Sequence, residues 1–255
     1  MEISIIAEKL FSIGNFTVTN SLFVAVIVAV VLGITAILRS FGPLREVPRG
    51  LQNLVEAVFE GLLDFMEGIT HDRALARRFF PLVATIFLFV LFSNWSGLLP
   101  GAGTVGLNEE HAGHTILVPF LRGPAADLNM TVALSLVSVL SVQMFGILAL
   151  GIRGYGSKFI VAPWKKPYVI GTAVGLLELV GEFAKILSFS FRLFGNVFAG
   201  EVLLTVMLSL VPYLVPLPFL LLETFVGVVQ AAVFSLLTIV FLTMAVTPHH
   251  EEGAH

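Results

Sequence analysis

Between Gly171 and Pro212 the chain contains no proline and reads as one apolar helix carrying a few scattered charges. Roughly 38 helical residues at 1.5 Å each reach about 57 Å, against a bilayer hydrocarbon core of about 30 Å. A helix of that length must lie steeply across a membrane or break, because transmembrane helices tilt by only about 20° on average. Pro212, Pro216 and Pro218 then predict a tight turn, and Phe219 to Val246 predicts a second overlong helix, uncharged except for Glu223. The expectation is a long, strongly tilted helical hairpin over residues 171–211 and 218–247.

The remainder also belongs in lipid, since 57% hydrophobic and 12% charged residues are too apolar a mixture for an ordinary soluble domain. Phe23 to Leu38 is an uncharged run that predicts a first span (20–38), with Thr17 to Leu22 as its wetter entrance. A cleaved signal peptide is the weaker reading, because Lys9 is the whole basic n-region and Arg39 to Arg49 follows as a stop-transfer flank. From Gly50 to Gly68, apolar residues alternate with Glu56, Glu60 and Asp64, which recur every four residues on one face. That pattern predicts an amphipathic helix over 50–70, interfacial or packed on the bundle. Further spans are expected over 80–100, closed by Pro100 and Gly101, and over 128–153. The segment between them, with Glu109, Glu110, His111, His114 and Pro124, reads as polar loop. The predicted fold class is therefore an all-α integral membrane protein: a single domain, 1–255, of five transmembrane helices and one amphipathic helix.

Orientation follows from the bias of lysine and arginine toward cytoplasmic loops. Arg39 to Arg78 carries six arginines and Arg153 to Lys166 carries four basic residues, whereas the loop around Glu109 carries only Arg122. Residues 1–19 are expected outside and the tail 248–255 in the cytoplasm. A bacterial plasma membrane is expected, with a mitochondrial inner membrane as the alternative, since a short untargeted N-terminus fits either.

The polar residues inside apolar helix are the candidate functional residues. A central arginine alone costs about 2.5 to 3.5 kcal/mol on insertion scales, so such groups need a reason to be there. Glu178, Glu182, Lys185, Arg192 and Asn196 follow at spacings of 4, 3, 7 and 4, which places them on one helical stripe. Glu201 lies nine residues past Arg192, about 180° round at 3.6 residues per turn. Glu223 and Gln230 are seven apart, hence on one face of the last helix, and a hairpin would set Gln230 opposite Arg192. Ser188, Gly195 and Ala199 are small residues flanking the arginine.

Plainer roles compete for several of these. Glu182 and Lys185, at i and i+3, suit a salt bridge, and Asn129, next to Asp127, suits a helix cap better than a wet channel. Gly171 and Gly175 match a common small-xxx-small packing pattern. His249, His250 and His255 read as a solvated tail rather than a metal tract, and His111 and His114 as loop surface. The chain has no cysteine and a formal charge of −3, so nothing points to thiol chemistry, a disulfide frame or a nucleic-acid partner. No HExxH motif and no intramembrane histidine is present, which removes the usual intramembrane enzyme, and no cofactor or metal is expected. A self-sufficient secondary transporter would show two related halves with interrupted helices, and no such repeat is visible.

The run Ser190-Phe191-Arg192-Leu193-Phe194-Gly195-Asn196, followed by Ala199-Gly200-Glu201, resembles the signature of subunit a of F-type ATP synthases. Pro124 to Thr131, Asn94 to Pro100 and Gln230 to Ala245 resemble further motifs of that family, so the likeness covers the chain beyond its N-terminus. The resemblance implies a stator subunit held against a rotating ring of c subunits and accompanied by b-type subunits of the peripheral stalk. It implies two offset aqueous half-channels, with Arg192 facing the ring carboxylates and Glu201, Glu223 and Gln230 on channel positions. Bacterial relatives often carry histidine where this chain has Glu223, which changes the resting charge there. The physical logic agrees. Arginine keeps its proton, so it serves as a fixed charge rather than a carrier. By position, Glu201 and Glu223 suit an outer half-channel. Glu178 and Glu182, about 21 and 15 Å along the helix axis from Arg192, suit an inner one.

Overall fold

A computed structural model describes residues 7–41, 50–99, 101, 105–111, 114–156, 168–211 and 214–247. In chain order the elements are β1 (Lys9–Ile13), β2 (Phe16–Thr19), α1 (Asn20–Phe41), α2 (Leu51–Thr70), α3 (Arg73–Ser96), β3 (Gly106–His111) and β4 (His114–Pro119). A single 3-10 turn (Pro124–Ala126) leads into α4 (Leu128–Gly156), α5 (Tyr168–Leu210) and α6 (Pro216–Val246). Five of the helices, α1, α3, α4, α5 and α6, are long and apolar enough to cross a membrane. The protein is an all-α membrane protein with two small antiparallel hairpins, β1–β2 and β3–β4. The expected C-terminal tail, with its histidines, and the Pro212 turn lie outside the described residues.

Two segments differ from the expectation. Residues 106–111 and 114–119, read as polar loop, form β3 and β4, in which Gly106 pairs with Pro119 and His111 with His114. Six residue pairs share a backbone ladder there, satisfying amide groups that a loop would leave to water. The second span begins at Arg73, not near Phe80. Asp72 caps it, accepting from the N–H groups of Ala74 (2.7 Å) and Leu75 (3.3 Å). A cap of this kind is a local polar signal that starts the helix before the hydrophobic run does.

The helix α4 breaks at Gly151, whose φ of 73° and ψ of 160° no helical residue adopts. Glycine takes this conformation without the Cβ clash that other residues suffer. The chain then turns back, so that the Tyr155 ring fills the space beside Gly146 and its hydroxyl meets Gln143.

The helix α6 is the hub, packing on α2, α3, α4 and α5. One apolar cluster joins Met66, Phe79, Val142, Ile239 and Leu242 near one end of the bundle. A second joins Ile86, Val90, Val139, Phe189, Leu193, Ala231 and Phe234. Between helices, buried hydroxyls pair across the interface: Ser138 with Thr238 at 2.9 Å and Thr131 with Ser190 at 3.4 Å. Small residues and shared hydroxyls are what bring helices together where lipid already satisfies apolar surface. The helix α5 runs 43 residues from Tyr168 to Leu210, about 64 Å at 1.5 Å per residue.

Candidate functional site

The site is built on α5. Arg192 is exposed, and so are Ala184, Ser188, Gly195, Asn196 and Ala199, which recur at helical spacing around it. One side of α5 therefore carries small residues and one guanidinium that the described residues leave exposed. The opposite side is anchored: Phe189, Ser190, Leu193 and Gly200 are buried, and Phe189 packs on Phe234 and Phe241 of α6 with ring centroids 4.8 and 5.7 Å apart.

The Nη2 group of Arg192 donates to Ser188 Oγ at 3.3 Å, one turn back on the same helix. The Asn196 amide donates to the Arg192 backbone carbonyl at 2.9 Å, so it serves its own helix. Gln230 is half-buried on α6, and among the described residues no hydrogen bond joins it to Arg192.

Glu201 faces away from Arg192. Its Oε1 lies 3.4 Å from Nε of Arg122, a residue only 7% exposed in the loop between β4 and the 3-10 turn. The other oxygen, Oε2, is buried and has no hydrogen-bond partner among the described residues. Glu223 reaches α5 from α6: its carboxylate occupies the space beside the Gly200 backbone that a side chain at 200 would fill. Glu223 thus meets α5 at the residue that precedes Glu201 in the chain. The helix α3 fixes the height of α6 at this contact, because Asn94 Nδ2 donates to the Gly227 carbonyl (3.1 Å) and Trp95 Nε1 to the Thr224 carbonyl (3.2 Å).

Toward the other end of α5, Lys185 Nζ bonds Glu182 Oε1 at 2.6 Å and sits 4.6 Å from the centre of the Phe241 ring. Glu178 is half-buried one turn away. Asn129 is exposed, and the capping at α4 is done by Asp127, whose Oδ1 accepts from the Asn129 backbone N–H at 2.9 Å. The second Asp127 oxygen accepts from Ser21 Oγ of α1 at 2.6 Å, with both residues buried.

The family model of the ATP synthase A chain matches residues 21–243. The chain belongs to the ATP synthase subunit a family. It is 36% identical over 237 residues to ATP synthase subunit a of Campylobacter fetus, covering 91% of this chain and 92% of that one. It is 32% identical over 242 residues to the subunit of Moorella thermoacetica, covering 94% and 97%. A third, from Helicobacter pylori strain Shi470, is 34% identical over 244 residues.

Within an ATP synthase subunit a, the residues that sequence reasoning missed are Arg122, Gly200, Asn94 and Trp95. Each acts through a residue distant in sequence, so no local period marks it. Arg122 did carry one signal: it is the single basic residue of an otherwise acidic loop.

Proposed function

We propose that this chain is the stator proton-path subunit of a rotary ATP synthase, and that Arg192 is the fixed positive charge between two offset half-channels. The observation that carries the reading is the exposed face of α5, on which Arg192 stands among small residues and its guanidinium, among the described residues, bonds only Ser188 of its own helix. An arginine held in an apolar span at this cost needs a partner, and a passing carboxylate on a ring of c subunits supplies one. Opposite the guanidinium such a carboxylate releases its proton, and once it moves on into lipid, desolvation favours taking a proton up again. The same fixed charge repels protons and keeps the two paths from short-circuiting.

In this reading the N-terminus is outside and Glu201 and Glu223, at the seam of α5 and α6, line the outer path, with Gln230 and Asn196 nearer the arginine. Glu178, with Glu182, belongs to the inner path. The b-type subunits of the peripheral stalk hold the chain against rotation in a bacterial plasma membrane. The test is ATP-driven proton pumping by the assembled complex in inverted vesicles. Arg192→Ala is expected to abolish pumping and to raise passive proton leak. Coupled pumping that survives this change, or proton conduction by the chain alone at the assembly's rate, overturns the reading.

A further inference from the structure

Arg122 is a buried arginine outside the α5 stripe that the proposed function leaves without a role. We propose that Arg122 is a positioning residue, which clamps one oxygen of Glu201 from outside the helical hairpin and so aims the other into the outer path. The inference rests on the reading above that Glu201 serves that path.

The clamp is mounted on a rigid platform. The strand end before Arg122 is tied down where Asn20 Nδ2 donates to the Pro119 carbonyl (3.2 Å) and the Phe120 N–H donates to the Val105 carbonyl (3.0 Å). The residue after it, Gly123, packs against Gly97 of α3 so closely that a Cβ at 97 would lie 3.1 Å from its Cα. Four residues further on, Asp127 is held by Ser21. The backbone that carries Arg122 is therefore fixed to α1, α3 and the 3-10 turn, while Glu201 belongs to α5.

A glutamate has three side-chain torsions to restrain, and an ordinary surface ion pair restrains them weakly. Here the arginine side chain is 6% exposed and the glutamate side chain 39%, so the pair is shielded from the arginine's side. It engages Oε1 and leaves Oε2 buried and without a hydrogen-bond partner among the described residues. That oxygen is the one able to accept or hand on a proton. Arg122 itself cannot, since a guanidinium keeps its proton. Glu8, which precedes β1, also interacts electrostatically with this carboxylate, and Glu223 arrives from α6 at the neighbouring residue, Gly200.

The experiment uses the whole complex in inverted vesicles, with ATP-driven pumping normalised to assembled complex. Arg122→Met keeps the apolar stem without the charge, and Arg122→Lys keeps the charge. Coupling between contacting groups predicts that Arg122→Met pumps about tenfold more slowly, while Arg122→Lys stays within about threefold of the parent. Pumping by Arg122→Met within about twofold of the parent overturns the proposal, and so does a lysine variant as slow as the methionine one. Where Arg122→Met does not assemble, Arg122→Gln, which keeps an amide donor without charge, takes its place with the same expectations. Glu201→Gln is measured alongside. If it pumps at the parental rate, the outer-path reading of Glu201 falls; if it is slow while Arg122→Met is normal, only the clamp falls.

Discussion

The Glu223 carboxylate lies against the backbone of Gly200, in the volume that any side chain at position 200 would need. Gly200→Ala therefore forces Glu223 off the α5–α6 seam, at a cost of about 1 to 3 kcal/mol for the overpacked interface. ATP-driven pumping is expected to fall by about tenfold, since 1.4 kcal/mol corresponds to that factor. Adding Glu223→Asp, which withdraws the carboxylate by one methylene, is expected to recover part of the loss. Undiminished pumping by Gly200→Ala would show that the seam relaxes freely.

The Arg192 guanidinium is held to its helix by one exposed 3.3 Å bond to Ser188. A long, exposed bond of this kind falls toward the low end of hydrogen-bond contributions, about 0.5 kcal/mol. Ser188→Ala is expected to leave pumping within about twofold of the parent, whereas Arg192→Ala removes it. Comparable losses for both would mean that Ser188 has a role of its own.

Glu182 and Lys185 are paired with side-chain exposures of 13% and 24%, and the second Glu182 oxygen has no hydrogen-bond partner. Lys185→Met strands a mostly buried charge and is expected to destabilise the subunit by about 3 kcal/mol. Thermal melting of the purified complex should show most of that loss restored when Glu182→Gln is added. Pumping by the double variant reports separately on whether Glu182 carries protons in the inner path.

Asp127 links α1 to α4 through Ser21 and caps α4. Removal of a hydrogen bond to a buried carboxylate costs about 1.5 to 3 kcal/mol, and loss of a cap about 1 more. Ser21→Ala is expected to lower the melting temperature of the complex, and Asp127→Ala to lower it further. A Ser21→Ala variant that melts like the parent would show that the bond adds no net stability.

The turn at Gly151 brings Tyr155 over Gly146. Gly146→Ala should displace the ring and destabilise by about 1 to 3 kcal/mol. In a double-mutant cycle, Gly146→Ala added to Tyr155→Ala should cost nothing further, because the clash has been removed. Additive losses would argue that the crowding lies elsewhere.

Part of this architecture was legible in the order of residues. Hydropathy over a span and the 3.6-residue period are local properties, so five apolar helices and an overlong pair at the end could be read without knowing any neighbour. Hairpin β3–β4 could not, because Gly106–His111 and His114–Pro119 carry glutamates, histidines and glycine and resemble loop until they pair. Asp72 likewise looks like any polar residue until its carboxylate is seen to cap α3.

By itself the sequence determined the class of protein, the all-α membrane fold, the family and the positions of the costly charges, because lipid penalises each charge wherever its helix goes. Only the tertiary structure decided which groups meet them. Nine residues separate Arg192 from Glu201, which says that they point apart, but not that one is left uncovered while the other is held by Arg122. That pairing depends on how a loop after β4 is pinned between α1 and α3, and the approach of Glu223 to Gly200 depends on the height of α6 set by Asn94 and Trp95. Contacts of this kind join segments far apart in the chain. They arise from packing many helices at once, and no local period encodes them.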